Sequence, residues 1–336
     1  MTTFKVMTWN VENLFRPKPD AEEKVKQRYQ RKLELLADVI ERLDPDVVAL
    51  QEVGGEHGEE PLDDLQEALG GTHPHRVLSA FRDGRNIQVA FLSKHTVDER
   101  EDVVDFPEGP ALDIHDLDEA GNPKPIERMG RGALRVRVTK DNLTVDLITA
   151  HLKSKLLTFP GGRFTPRNEE ERAQVAGIAL MKRMAEAVTL RIWVNGLLGG
   201  AGRTPLLLLG DLNDVPEAQT SLILNVPPGS EIGTLGFNRR DKGDAARLFN
   251  LAPAFPPQIP PEKRVSRIHE GRGELIDQIL ASVECFPVGD DNRRRLPEFA
   301  SHIDVAGGLP SVGENPVERE EDVAPDHAPV TAAFDL

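Results

Sequence analysis

LLLLGDLND, residues 206–214, is the stretch whose reading decides the fold. Four consecutive leucines read as a strand buried on both faces, and Gly, Asp and Asn follow at once. A backbone anchored in the core thus delivers polar side chains at the strand's carboxyl end. Outward from here the same pattern recurs in both directions. FKVMTW (4–9) runs into TWNVEN (8–13), VVALQEV (47–53) ends in LQEV, and LTVDLITA (143–150) leads into TAHLKSK (149–155). APDHA (324–328) stands just before the apolar APVTAAF (328–334). Five clusters of acid, amide or histidine at strand ends can converge on one rim and form a pocket.

The intervening sequence supplies helices and further strands. Leu36, Val39, Ile40 and Leu43 recur at helical spacing within 24–43, and Asp44-Pro45 provides the stop. A second amphipathic helix is expected over 169–194, after the Gly/Pro segment FPGGRFTPRN (159–168), and a short one from Pro216. Strands are expected at 75–80, 87–93, 133–138, 143–150, 274–280 and 329–334. The stretch 99–129, rich in Asp, Glu, Pro and Gly, reads as a long loop-like insertion, and 287–325 as another. No internal repeat or heptad is visible. Several strands lie close enough in sequence to form hairpins. That favours an α/β architecture of two mixed sheets packed face to face with helices outside, over a doubly wound parallel sheet. One elaborated domain over 1–336 is expected.

Lys and Arg total 41 against 56 Asp and Glu, a net charge of −15, the reverse of the footprint of a protein that binds nucleic acid by bulk charge. A nuclease reading therefore rests on bound metal and local basic patches, of which Arg239-Arg240 and Arg293-Arg294-Arg295 are the sequence candidates. Aromatic residues make up 5% of the chain, and no stacking platform is evident. The single cysteine, Cys285, excludes an internal disulfide and a multi-thiolate zinc site, and reads as a core residue. With no leader-like start, apolar span or basic amphipathic anchor, a cytoplasmic location without a membrane anchor is the default expectation; a removed leader would make secretion the alternative.

The clusters suit phosphoester hydrolysis, which requires charge neutralisation, an in-line water and stabilisation of the departing oxygen. Glu52, with Glu12 or Asn10, would suffice for a magnesium ion, and Asp326 is a further acid for the metal or nucleophile. Asp211 is assigned to water activation or proton management, and Asn213 to a hydrogen bond to phosphate. His327 is expected opposite the phosphate or as base, its ring held by Asp277, and His151 as a donor to the transition state. Lys153 and Lys155 are expected to meet phosphate. Asp214 reads as a helix cap. The remaining histidines, His57, His73, His75, His95, His115, His269 and His302, read as surface or loop residues.

Taken in order, TWNVENLF, LQEV, HLKSK, GDLND, ELIDQIL and PDHAPV resemble the endonuclease/exonuclease/phosphatase superfamily with its DNase I-like fold, nearest in motif to bacterial nuclease-type members. The resemblance spans Asn10 to His327. It implies a four-layered α/β sandwich, a site at the sheet rim and a divalent metal, usually Mg2+, with Mn2+ or Ca2+ as alternatives. It also implies that Asn10 orients phosphate, Glu52 is the principal metal ligand, and Asp277 with His327 forms a carboxylate–histidine pair. A nuclease acting on DNA or RNA is the expected activity. Phosphomonoesterase or phospholipid phosphodiesterase action, of the inositol phosphate or sphingomyelin type, is the alternative, and a catalytically silent binding protein a third reading.

Overall fold

The computed structural model describes residues 2–108, 112–198, 203–239, 241–303 and 313–336. Its first large sheet contains β1 (Thr3–Phe15), β2 (Val47–Gly54), β3 (His75–Leu78), β4 (Ile87–Ser93), β15 (Glu298–Ser301) and β16 (Val330–Asp335). They lie in the order β15-β16-β1-β2-β4-β3. The second contains β5 (Thr96–Asp105), β8 (Arg128–Lys140), β9 (Leu143–His151), β10 (Leu206–Asp211), β11 (Leu248–Asn250) and β14 (Asp277–Ser282). Its order is β11-β14-β10-β9-β8-β5. Each sheet has one parallel pair, β1 with β2 and β9 with β10, and is otherwise antiparallel. Two hairpins stand apart, β6 (Ile114–Leu117) with β7 (Pro123–Ile126) and β12 (Arg267–His269) with β13 (Arg272–Glu274). The helices are α1 (Glu23–Leu43), α2 (Glu60–Ala68), α3 (Glu169–Leu198), α4 (Gln219–Leu224) and α5 (Leu235–Asn238).

Strand alternation builds the layers. On β1, Phe4 and Val6 join Val47, Ala49, Leu207, Leu209 and Ile279 in the core between the sheets, while Met7 and Trp9 meet Leu33, Leu36 and Ile40 of α1. On β10, Leu207 and Leu209 point inward, and Leu206 and Leu208 pack with Leu190 and Val194 of α3. Helix, sheet, sheet and helix therefore stack as four layers. Trp9, Met7, Leu36 and Ile40 are fully buried. At roughly 1.5–3 kcal/mol per large apolar side chain, packing rather than helix propensity holds α1 in place. The helix stops at Asp44, a left-handed cap whose N–H donates to the Ile40 carbonyl before Pro45.

The two sheets agree with the expected architecture, but several segments differ. Residues 99–129 are mostly strands: the greater part of β5, the β6–β7 hairpin and the start of β8. Acidic side chains disguise β5, an edge strand whose Glu99 and Glu101 pair with Arg135, and charges on an edge discourage pairing with another chain. The expected strand 274–280 is split, with β13 ending at Glu274 and β14 beginning at Asp277. Within 287–325 the described part contains β15 and a short turn of 3-10 helix at Pro316–Arg319. His73 lies in a loop, as expected, but is buried, its Nε2 3.1 Å from the Pro45 carbonyl. Among the described residues no helix is long and apolar enough to cross a membrane.

Candidate active site

The alternation that fills the core also builds the site. Inward positions of four neighbouring strands turn polar at the same rim: Asn10 on β1, His151 on β9, Asp211 on β10 and Asp277 on β14. In the second sheet Asp211 lies in register with both His151 and Asp277. One layer deeper, Gln51 Nε2 donates to Thr8 Oγ1 at 3.2 Å and to Thr149 Oγ1 at 3.0 Å, tying the sheets together beneath the site. Gly210 sets the spacing. It has φ +151°, and a Cβ there would fall 2.0 Å from the Ala150 carbonyl oxygen.

Asp211 is the centre of the network. Its Oδ2 accepts from Asn10 Nδ2 at 3.0 Å and lies 3.3 Å from His151 Nε2 and 3.9 Å from His327 Nε2. Its Oδ1 accepts the Asn213 N–H at 2.9 Å. Burial opposes ionisation of Asp211, but His151, His327 and Asn10 outweigh it and hold the carboxyl well below the usual carboxylate range. His327 Nδ1 lies 2.7 Å from Asp277 Oδ2. Burial alone would lower the His327 pKa, but Asp277, Asp326 and Asp211 together raise it to about 10. Asp277 thus favours a proton on Nδ1 and biases the ring towards its charged form. Its backbone is pinned as well: its carbonyl accepts from Trp9 Nε1 at 2.8 Å, and the next amide, of Ala328, donates to the Ser266 carbonyl at 2.7 Å.

The rim above Asp211 is made of residues in strained backbone. Glu12, Asn13, Glu52 and Asn213 all have positive φ, between 49° and 64°. Glu52 occupies the register shift between β2 and β4, a bulge that turns its side chain into the site. Its carboxylate accepts the Asn13 N–H at 3.2 Å and lies 3.9 Å from His151 Nε2. Asn213 Nδ2 donates to the Leu152 carbonyl at 3.0 Å, joining the two loops.

The hard oxygen donors fit a divalent cation. Of the expected metal ligands, Glu52 is the one without an arginine partner among the described residues. Glu12 is already paired with Arg319, at 3.2 Å for one of its contacts, and accepts the Asp326 N–H, while Asp326 pairs with Arg267 at 3.1 Å. Burial and the nearby Asp326 raise Glu12 to about 7 in spite of Arg319. Asp211, Asp277 and His327 also bring ligand atoms within 4.8 Å of one another, but His327 Nδ1 is engaged by Asp277.

Of the two lysines expected at phosphate, the structure brings one to the cavity. Lys153 does not reach the cavity: its Nζ donates to the Ser154 and Leu156 carbonyls, and its backbone is clamped by α3. There the buried Glu186 accepts the Lys153 and Gly130 N–H groups at 2.6 and 2.8 Å, and Arg183 donates to the Lys153 carbonyl at 2.9 Å. Lys155 lines the cavity instead, 2.7 Å from Glu274. Asp214 is not a helix cap. It accepts from Thr220 Oγ1 at 2.7 Å and Arg183 Nε at 3.2 Å, while α4 begins at Gln219 after Ala218. Arg183 and Glu186 were not legible in the sequence: α3 is only weakly amphipathic, with Leu180, Met181 and Ile192 exposed and these two charged residues buried. Sequence reasoning also missed Arg85, Arg131, Arg172 and Arg267, which come from separate elements yet line the same cavity.

Of the expected basic cluster at 293–295, Arg293 and Arg295 are exposed, but the middle residue is withdrawn from solvent. Arg294 is buried, paired with Asp244, and stacks 5.1 and 5.5 Å from the ring centroids of Phe237 and Phe249. Arg239 is exposed, and Arg240 lies outside the described residues. Arg294→Ala is expected to cost about 3 kcal/mol, by leaving Asp244 short of its buried partner, with no change in KM for an anionic substrate. Urea denaturation beside steady-state kinetics checks both halves.

Against this geometry, a model of the Endonuclease/Exonuclease/phosphatase family matches residues 7–292. The chain belongs to this family. It is accordingly a phosphoesterase, a hydrolase of the phosphodiesterase or nuclease type, and enzymes of the endonuclease/exonuclease/phosphatase family generally use divalent metals. No curated protein matches the sequence. Among solved structures, a truncated TDP2 from Caenorhabditis elegans has a TM-score of 0.54 at 15% identity, covering 99% of this chain and 98% of that one. The human Nocturnin catalytic domain with bound sulfate gives 0.52 at 14%, covering 99% and 94%. D. rerio TDP2 complexed with a single-strand DNA product gives 0.55 at 14%, covering 100% of both chains. At such identities the likeness is one of fold.

Proposed function

We propose that the protein is a Mg2+-dependent phosphodiesterase acting on nucleic acid, with residues 1–336 as one catalytic unit. The observation that carries this reading is the set of donors converging on Asp211 at the floor of a cavity of about 500 Å³. The cavity is walled by Arg85, Arg131, Arg172, Arg267 and Lys155. The same wall carries Glu12, Glu52, Asp211, Glu274 and Asp326, so the opening sets carboxylates suited to a divalent cation beside cations suited to a phosphate. The D. rerio TDP2 neighbour bound to a single-strand DNA product is consistent with that choice.

In this reading Asn10 and Asn213 orient the phosphate, and the ionised Asp211 aligns the attacking water. The Nε2 atoms of His151 and His327 face the non-bridging oxygens, where negative charge builds up. Asp277 holds the His327 ring, as the carboxylate does in other carboxylate–histidine pairs. Glu52, with Asn10 and Asp211 close by, would hold a magnesium ion, which supplies Lewis-acid stabilisation of the phosphate and leaving oxygen. Glu12 acts through Arg319 and the Asp326 N–H, shaping the rim.

The purified protein should cleave single-stranded oligonucleotide or plasmid DNA with Mg2+, lose at least a hundredfold in rate with EDTA, and lose activity again as His327→Ala. Activity confined to inositol phosphates or sphingomyelin vesicles would keep the mechanism and replace the substrate. EDTA-resistant cleavage would overturn the metal assignment.

A further inference from the structure

Isolated exposed apolar side chains are ordinary on a protein surface. Two here are not isolated. Leu156 and Phe164, 58% and 69% exposed, both line the cavity of the proposed site, and both come from the segment linking β9 to α3. That segment starts directly after His151. Arg85, Arg131 and Arg172 line the same cavity.

The exposure of Phe164 is built into an ordered turn. Phe159, itself buried, donates its N–H to the Arg163 carbonyl at 2.9 Å, and Gly162 N–H returns to the Phe159 carbonyl at 3.1 Å. Gly161 and Gly162 supply the positive φ values that the turn needs, 77° and 72°. The Arg163 guanidinium lies 5.8 Å from the Phe159 ring centroid, pairs with Glu171 at the start of α3, and donates to the Thr165 carbonyl at 2.8 Å. Phe164 sits between Arg163 and Thr165. Its backbone is therefore held on both sides while its ring stays in water. An unsupported apolar side chain would fold back onto the surface; this one is presented.

We infer that Phe164 and Leu156 form a stacking platform for a nucleobase flanking the scissile phosphate, with the neighbouring arginines taking the adjoining backbone phosphates. The inference rests on the nucleic-acid reading above and names what in the substrate is recognised beyond its charge. A ring face accepts any base, so the platform supplies affinity for single-stranded substrate without sequence preference. A methyl ester or inositol phosphate offers nothing for it to stack on.

The test compares a ten-residue oligothymidylate with an abasic oligomer of the same length, built of tetrahydrofuran nucleotides, so that the number of phosphates is equal. With the full chain and Mg2+, the wild type should show a KM roughly tenfold or more lower on oligothymidylate. In Phe164→Ala that preference should shrink towards unity through a rise in KM on the base-bearing oligomer, Leu156→Ala should do so partially, and Phe164→Trp should restore it. Thermal melting checks the fold of each variant. Equal KM values for the two oligomers in the wild type, or a preference that survives Phe164→Ala, would overturn the platform and leave the nuclease reading standing. Cleavage of neither oligomer by the wild type would remove both.

Discussion

Asp211→Asn is expected to lower kcat by about 10³- to 10⁴-fold while the protein stays folded. The carboxylate faces four donors or donor candidates: Asn10 Nδ2, the Asn213 N–H, and the Nε2 atoms of His151 and His327. Two oxygens can accept from all of them, whereas an amide must turn an NH2 group towards one side, against another donor. The substitution also removes the negative charge that holds the His151 ring. Because Asn is isosteric and β10 keeps its ladders to β9 and β14, the circular dichroism spectrum should be native. Since the lost interactions serve the transition state, kcat and kcat/KM should fall together, with little movement of KM. Steady-state kinetics at saturating Mg2+ measures this. A variant within tenfold of wild type would mean that Asp211 is a structural centre and that another group aligns the water.

Gly210→Ala should have the largest effect on folding. A Cβ at this position would fall 2.0 Å from the Ala150 carbonyl oxygen and 3.0 Å from the Ala150 nitrogen, on a backbone at φ +151°. The obstacle is backbone in the middle of a six-stranded sheet, so no side-chain rotation relieves it. Either β9 and β10 separate, breaking the ladder that aligns Ala150 with Gly210 and His151 with Asp211, or β10 distorts. A loss above about 4 kcal/mol is expected, which for a domain of ordinary stability means insoluble or largely unfolded protein. Guanidinium denaturation of whatever remains soluble checks it; an unchanged midpoint would contradict the close approach. The glycine in GDLND is thus the residue that lets the Asp211 and His151 strands come near enough for their side chains to lie 3.3 Å apart.

Much of this was legible because strand alternation is local. The run LLLLGD states its own burial, and the polar ends of FKVMTW, VVALQEV and LTVDLITA mark the rim without knowledge of their neighbours. β5 was hidden for a physical reason: an edge strand in water carries charges on both faces, so its sequence resembles a loop. The phenylalanine that the site presents was equally hidden. Composition counts aromatic residues, and only the Phe159–Arg163 turn shows that one of them is held in solvent beside the cavity.

What the sequence determined by itself was the buried central strands of the two sheets and the acids, amides and histidines at their ends, because each follows from alternation and apolar runs over a few residues. What the tertiary structure decided was which charges are available. Lys153 turns away while Lys155 lines the cavity; Glu12 is matched by Arg319 from more than three hundred residues away; Arg294 is spent on Asp244 and two phenylalanine rings. Electrostatic character depends on the partner that arrives within a few ångströms, and that partner comes from elements distant in the chain, so no local pattern can report it.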